Sequence, residues 1–297
     1  MTTHTHPRSV AAGPADNWLT QQFAPISLKA LNAKAAMLER LDNKYVVRAP
    51  VLAAAAHELS ELFDVLEIDG QRSFTYDTCY FDDADLRSYH DHHQGRRQRV
   101  KVRVRKYVEA ALCFVEVKLK DKRGSTVKKR MPYDPALFGT LDAQALAHVE
   151  QSHQALYGRP FGKRLTPVLS MSYRRITLVA REGGERMTID TGIHFNGSVG
   201  GGGRSAQRRT GDEVFIVETK SAHGRGIADA VLRRHHQHPT NGCSKYCVGM
   251  SLTGAVDHFN RFRPALRKLG ALPDFDSDVS AAPSSTPLLE LSHGLSN

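Results

Sequence analysis

The sequence predicts an α+β protein built on an antiparallel sheet of about eight strands, closed into a tunnel with a charged interior and flanked by helices. Three observations lead there. Residues 99–120 alternate with a period of two, Arg99, Lys101, Arg103 and Arg105 interleaving with Val100, Val102 and Val104, then Glu116, Lys118 and Lys120 with Val115, Val117 and Leu119. The strands follow one another across short turns, as in a meander. Helical segments are few and lie between strand runs. An eight-stranded sheet that closes can enclose one small ligand. Here the charged side would face inward and the valines outward, beneath helices.

In order along the chain, residues 28–40 and 50–63 read as helices, with Pro50 at a first helical position and Leu52, Leu59 and Leu62 on one side. Between them Leu41 to Arg48 reads as a strand. Arg72 to Phe81 is β-rich, followed by the acidic turn Asp82–Asp85. Strands are expected at 98–108, 111–121 and 125–133, a helix over Asp134–Tyr157, strands at 167–180, 185–195 and 213–221, and helices at 226–238 and 244–254. Gly197 to Thr210 reads as a loop; its run Gly200–Gly203 has no following helix and so is no P-loop. Residues 1–17 and 270–297, rich in Pro, Ser, Thr, Ala and Gly, read as disordered tails around a domain over 18–269.

A turn at Ala110–Ala111 would set Arg103 opposite Lys118 and Lys101 opposite Lys120. A turn at Gly124 would set Lys118 opposite Arg130 and Lys120 opposite Lys128, with Lys129 on the other face. Like charges directly opposite destabilise a sheet. Three neighbouring strands sharing such a face indicate a surface kept for a polyanion. The net charge of +10 agrees. No apolar run is long enough for a transmembrane helix, the N-terminus lacks a secretory apolar core, and four cysteines make no disulfide framework. Cys243 and Cys247 have no second pair to complete a zinc site. The reading is a soluble cytoplasmic protein. Nucleic acid is disfavoured as partner, because the basic strands carry Val rather than stacking aromatics. The histidines fall on expected surface and are not read as metal ligands.

In order, Arg40-Leu41-Asp42-Asn43-Lys44-Tyr45, Tyr80-Phe81-Asp82-Asp83, Val102-Arg103-Val104-Arg105-Lys106-Tyr107, Val115-Glu116-Val117-Lys118, Val127-Lys128-Lys129-Arg130, Pro167-Val168-Leu169 with Tyr173-x-Arg175, Arg186-Met187-Thr188-Ile189-Asp190, Val217-Glu218-Thr219-Lys220 and Ser244-Lys245-Tyr246 resemble the VTC domain. This is the polyphosphate polymerase branch of the triphosphate tunnel metalloenzymes, and the match runs over roughly residues 25–250. The resemblance implies a closed tunnel that binds ATP and inorganic polyphosphate, transfers the γ-phosphate of ATP to the growing chain and releases ADP. It further implies Mn²⁺ or Mg²⁺ at Glu218, and phosphate-lining roles for Lys44, Arg103, Arg105, Lys118, Lys128, Arg130, Arg175, Arg186 and Lys245. Arg175 is preferred to Arg174 on alternation alone. Glu116 either orients Arg105 or helps hold metal, and Asp42 is similarly divided. Two features depart from the pattern: Arg40 replaces the first acid of the superfamily's Glu-x-Glu-x-Lys, and Gly242 stands where some polymerases carry a second lysine. A metal-dependent triphosphate hydrolase and a non-catalytic polyphosphate sensor are the alternatives on the same scaffold.

Overall fold

The computed structural model describes residues 17–34, 41–121, 124–199 and 204–270. In chain order the elements are α1 (Asn17–Thr20), β1 (Ala24–Ile26), α2 (Leu28–Lys34), β2 (Leu41–Arg48), α3 (Ala49–Leu62), β3 (Phe63–Leu66), β4 (Phe74–Asp82), α4 (Arg87–His93), β5 (Arg99–Tyr107), β6 (Leu112–Lys120) and β7 (Thr126–Pro132). Then come α5 (Ala143–Tyr157), β8 (Thr166–Ala180), β9 (Arg186–Val199), β10 (Arg204–Arg209), β11 (Val214–Ser221), α6 (Ile227–Arg234), α7 (Lys245–Leu252) and α8 (Arg263–Lys268).

One 11-stranded sheet results, its main path running β2-β11-β9-β8-β4-β5-β6-β7, with β1, β3 and β10 off that path. The antiparallel architecture with flanking helices stands as expected. Closure with eight strands does not: among the described residues β2 and β7 are unpaired ends of the path. The physical reason is visible at β2. Its outer edge is occupied by Thr240, whose N–H donates to the Lys44 carbonyl at 2.6 Å and whose Oγ1 accepts from the Val46 N–H at 3.2 Å. β7 therefore ends the sheet as an exposed edge studded with Lys128, Lys129 and Arg130, and such charges discourage edge-to-edge pairing. The sheet nonetheless curls, because Lys118 on β6 approaches Asp42 on β2 to 4.0 Å.

The outward valines behave as expected. Val102, Val104, Val115, Val117 and Leu119 are fully buried, in a cluster that includes Ala145 and Val149 of α5. On the other side of the sheet, α3 and α6 cover the outward residues Tyr45, Val47, Phe215, Val217, Ile176 and Leu178. The inner face divides along its length. At one end Val46, Ile216, Ile193, Phe195, Met171 and Leu169 pack against α7 and α8 as a dry plug. At the other end it is charged.

The strands missed in the sequence are short or irregular. β1 and β3 pair in parallel over three residues, and β10 pairs with β9 across what reads as a loop from 197 to 210, residues 200–203 lying outside the described set. The helix expected over 134–157 breaks into a 3₁₀ turn at Pro135–Leu137 and α5, which starts where Asp142 accepts from the Ala145 N–H at 2.8 Å. Of the helix expected over 28–40, residues 28–34 are helical, and 35–40 lie outside the described residues. So do the expected tails, apart from Asn17 and Gly270.

The plug depends on close approach of α7. A Cβ on Gly249 would lie 2.5 Å from Leu169 Cδ2 and 2.6 Å from Phe195 Cδ1, both in the core. Gly249→Ala is expected to cost about 1–3 kcal/mol by overpacking, read as a lowered urea midpoint with an unchanged slope.

Candidate polyanion site

Both hairpin registers are displaced by two residues from the sequence expectation. Arg103 pairs with Glu116, Lys101 with Lys118, Arg99 with Lys120, Lys118 with Lys128, and Glu116 with Arg130. A shift of two preserves the faces and exchanges the partners. One cross-strand row, Lys101–Lys118–Lys128, is wholly cationic. The next, Arg103–Glu116–Arg130, carries its own counterion.

Glu116 is 1% exposed. Its Oε2 accepts from Arg103 Nε at 2.7 Å, its Oε1 is paired with Lys128, and Arg105 lies 3.9 Å away. Burial alone would raise this carboxyl; Arg103, Arg105 and Lys128 more than reverse that and hold it far below the usual carboxylate range. Glu116 is thus the hub of an ion-pair cluster. Arg103 also donates to Tyr80 Oη at 3.0 Å, and Arg105 to Tyr173 Oη at 2.9 Å.

A second hub is Asp190 on β9, buried completely. It takes a bidentate pair from Arg175 at 2.6 and 2.8 Å, and Lys245 Nζ at 2.5 Å. Arg175 lies 5.0 Å from the Tyr76 ring centroid, Lys245 5.1 Å from that of Tyr173. Burial would raise Asp190, yet Arg175 and Lys245 bring it down to about 2. Arg175 occupies the inner face, whereas Arg174 turns to Ser73 Oγ at 3.2 Å.

The third is Glu218 on β11, between Lys220 Nζ at 3.4 Å and Lys44 Nζ at 3.6 Å. Burial opposes its charge, but Lys220 and Lys44 hold it well below the ordinary range. Against burial, which lowers it, Glu218 and Asp42 leave Lys44 raised. Lys220 is lowered, chiefly by burial.

The lysine row is electrostatically different. Burial, with Lys44 adding repulsion, pushes Lys118 down to about 8; burial, with Arg103 opposing Glu116, does the same to Lys128. Lys101 is lowered by burial and donates to Ser244 Oγ at 3.0 Å. Lys118 is enclosed by sheet on several sides and still 47% exposed. Its side chain is therefore not part of a sealed core.

Lys44, Arg103, Arg105, Lys118, Lys128, Arg175, Lys245 and Glu218 therefore converge on the charged half of the inner face. Two residues stand apart from this centre. Arg130 is exposed on β7, its guanidinium 5.0 Å from the Phe114 ring centroid. Arg186 reaches the rim, donating to Asn32 Oδ1 of α2 at 3.2 Å. Arg40 lies outside the described residues. Sequence reasoning missed Lys220 and Asp190 as members of the site, although each shares a face with a candidate, Lys220 with Glu218 and Asp190 with Arg186. It also missed the aromatic lining of Tyr76, Tyr80 and Tyr173, which alternation could have found.

Gly242 has φ +72°, and a Cβ there would lie 2.6 Å from the Arg261 carbonyl oxygen, so this backbone does not admit a lysine. Among the described residues no group of three or more His, Cys, Asp or Glu side chains converges. Glu218 is a hard oxygen donor without a protein cage. It fits a small divalent cation only in the mode where one or two carboxylates share the ion with phosphate oxygens and water.

The site is a curled antiparallel sheet that turns cations inward around isolated carboxylate hubs. The chain belongs to the VTC domain family, whose model matches residues 39–253, more than half of its length. No curated protein matches it. Among solved structures, a proposed adenylate cyclase from Bacillus halodurans is 13% identical, with 69% of this chain and 95% of that one covered at a TM-score of 0.43. HpAC1 from Hippeastrum, a proposed adenylyl cyclase with a dominant triphosphatase activity, is 15% identical, with 74% of this chain and 100% of that one covered at a TM-score of 0.40. No described helix is long and apolar enough to cross a membrane.

Replacing the first hub tests its role. Glu116→Gln leaves Arg103, Arg105 and Lys128 without their shared anion and is expected to cost about 3 kcal/mol, the low end for a broken buried pair since Lys128 is 39% exposed. The pH dependence follows from Glu116 and Asp190. Their folded carboxyls are depressed, so they add stability at neutral pH that is lost as pH falls from about 4 toward the Asp190 value of about 2. Denaturant titration of wild type and variant at pH 7 and pH 3 should show the difference between the proteins shrinking at pH 3.

Proposed function

We propose that this chain is a polyphosphate polymerase, transferring the γ-phosphoryl group of ATP to the terminal oxygen of an inorganic polyphosphate chain and releasing ADP. The observation that carries the reading is the Lys101–Lys118–Lys128 row, three cations directly opposite one another on adjacent strands. Such a row is costly in the free protein and is relieved by a chain of phosphates. In the reaction an oxygen of the acceptor's last phosphate bonds to the γ-phosphorus while the bond from that phosphorus to the β,γ-bridging oxygen breaks. The bridging oxygen leaves with ADP.

The protein's part is positioning and neutralisation, because the transition state spreads charge over the equatorial oxygens. Arg103 and Arg105, oriented by Glu116, Tyr80 and Tyr173, present fixed forks of donors to the phosphates. Lys118, Lys128 and Lys101 add mobile point charges, and Lys44 and Lys220 face them from the opposite wall. Arg175, held by Asp190, supports Lys245 at that carboxylate, and Arg130 and Arg186 extend the basic lining toward the rims. Mn²⁺ or Mg²⁺ would be held by Glu218 together with phosphate oxygens, supplying charge neutralisation on the transferred group.

Incubation with ATP and Mn²⁺ tests the reading. Chain growth on a gel supports it; orthophosphate alone identifies a hydrolase, and binding without turnover a sensor. Lys118→Ala, at a half-exposed position, is expected to fold normally and to weaken inorganic triphosphate binding about tenfold or more, the loss of one charge-assisted contact.

Titration gives a prediction with two opposite signs. Lys118 and Lys128 lose their charge as pH rises through about 8, so triphosphate affinity falls between pH 7 and pH 9. Their folded values lie below the unfolded ones, so the unfolded chain holds more protons in that window and the free protein gains stability as pH rises. Calorimetry at both pH values, paired with ligand-free denaturation, checks both signs together. A lysine engaged in an ordinary structural ion pair, its folded value raised, would leave stability unchanged over this interval and lose it only above about pH 10.

A further inference from the structure

The inner row of β5 runs Tyr107, Arg105, Arg103, Lys101, Arg99, and at Arg99 it leaves the sheet beside a second set of arginines that the site above does not use. Arg99 donates to the Arg96 carbonyl, joining the end of the row to the turn before β5. Tyr157, at the C-terminal end of α5, donates to the carbonyls of Lys120 at 2.7 Å and Arg99 at 3.1 Å. That bond fixes the segment bearing Arg159 at the same corner. Arg261 arrives from the opposite side: it donates to the His93 carbonyl at 3.3 Å, and its guanidinium lies where a Cβ on Gly95 would fall, 2.3 Å from Nη1. Between α4 and the end of α5 a cavity of about 430 Å³ is lined by Asp91, Arg96, Arg97, Gln98 and Arg159. Asp91 is the carboxylate in that lining, 3.3 Å from Arg96 Nε, while Arg97 and Arg159 are exposed.

Charges kept for solubility are normally spread and mixed in sign. Arg96, Arg97 and Arg159 instead line one cavity in the segment leading to Arg99, with Asp91 as the carboxylate among them. We propose that the Arg96, Arg97 and Arg159 rim is a docking track for inorganic polyphosphate that has passed Arg99, so that long chains are held outside the bore as well as inside it. The proposal rests on the polyphosphate reading of the bore. It adds an exterior subsite that a triphosphate is too short to reach, and therefore a length-dependent affinity.

The test compares inorganic triphosphate with a polyphosphate of tens of phosphates, each titrated into wild type, Arg97→Ser/Arg159→Ser and Arg97→Glu. Both positions are exposed, and circular dichroism melts verify the fold. In wild type the long chain is expected to bind more tightly than triphosphate and with a steeper salt dependence. The double variant should lose roughly tenfold or more of the long-chain affinity, and its salt slope should fall by about 0.7 per lost contact. Its triphosphate affinity should be unchanged, and Arg97→Glu should lose more of the long-chain affinity than the double variant does. Equal affinity for both lengths in wild type, or a double variant that keeps its long-chain affinity, overturns the track and leaves the bore standing. Absence of binding by either ligand overturns the bore reading and the track with it. Loss of RNA binding in the variant with long-chain polyphosphate affinity intact would reassign the rim to nucleic acid and overturn the track.

Discussion

Burial of the β5–β6 valines beneath α5 is the constraint from which the rest of the site follows. Val102, Val104, Val115, Val117 and Leu119 are fully buried on one face of the hairpin. Each such side chain stabilises by about 1.5–3 kcal/mol when removed from water. A like-charged cross-strand pair on the other face costs about 0.2–1 kcal/mol. The apolar term therefore decides which face turns outward, and the lysines are carried inward against their mutual repulsion. A slip of one residue would bring Arg103 and Lys118 against α5 and expose the valines, so the face assignment is robust even though the charge pattern alone opposes it.

Repulsion of that kind is contained by giving each cluster one shared anion. Glu116, Asp190 and Glu218 each serve two or three cations, and each sits on a different strand. The arginines gain most from this: Arg103 and Arg175 are pinned through planar, directed contacts to Glu116 and Asp190. Lys101 and Lys118 lack a close carboxylate, Lys128 shares Glu116 with the arginines, and all three titrate lower than usual, so they are the groups with most to gain from an incoming anion. Preorganised guanidinium frames and ammonium groups with lowered titration are thus separated by row along the same three strands.

Alternation made the inward face legible from sequence, since the period of two depends only on local geometry. It could not fix the register, because a shift of two leaves every side chain on its face. The consequence was chemical: Arg103 sits opposite Glu116, its own counterion, where the sequence reading placed Lys118. Closure was illegible for another reason. It depends on which group reaches the β2 edge first, and Thr240, nearly two hundred residues away in sequence, takes those backbone bonds. Short parallel pairing such as β1 with β3 has no periodic signature over three residues. Alternation does put Tyr76 and Tyr80 on one face of β4, but aromatic residues in such a strand read equally well as core.

The unclosed seam bears directly on how such a charge density survives without ligand. A sheet sealed by backbone bonds between β2 and β7 would cut water off from the lysine row, and low dielectric would magnify each repulsion. Instead the walls are joined across the bore by the long Lys118–Asp42 contact at 4.0 Å, and Lys118 keeps substantial contact with solvent. Water screens the row, so Lys118 and Lys128 fall only to about 8 and remain mostly protonated at neutral pH. The apolar plug at the other end of the inner face performs the complementary task. It places α7 so that Ser244 reaches Lys101 and Lys245 reaches Asp190, without adding a further cation at Gly242. A dry end that fixes geometry and a wet end that tolerates charge are consequences of one division of the inner face, made where Ile216 gives way to Glu218 on β11 and Val46 to Lys44 on β2.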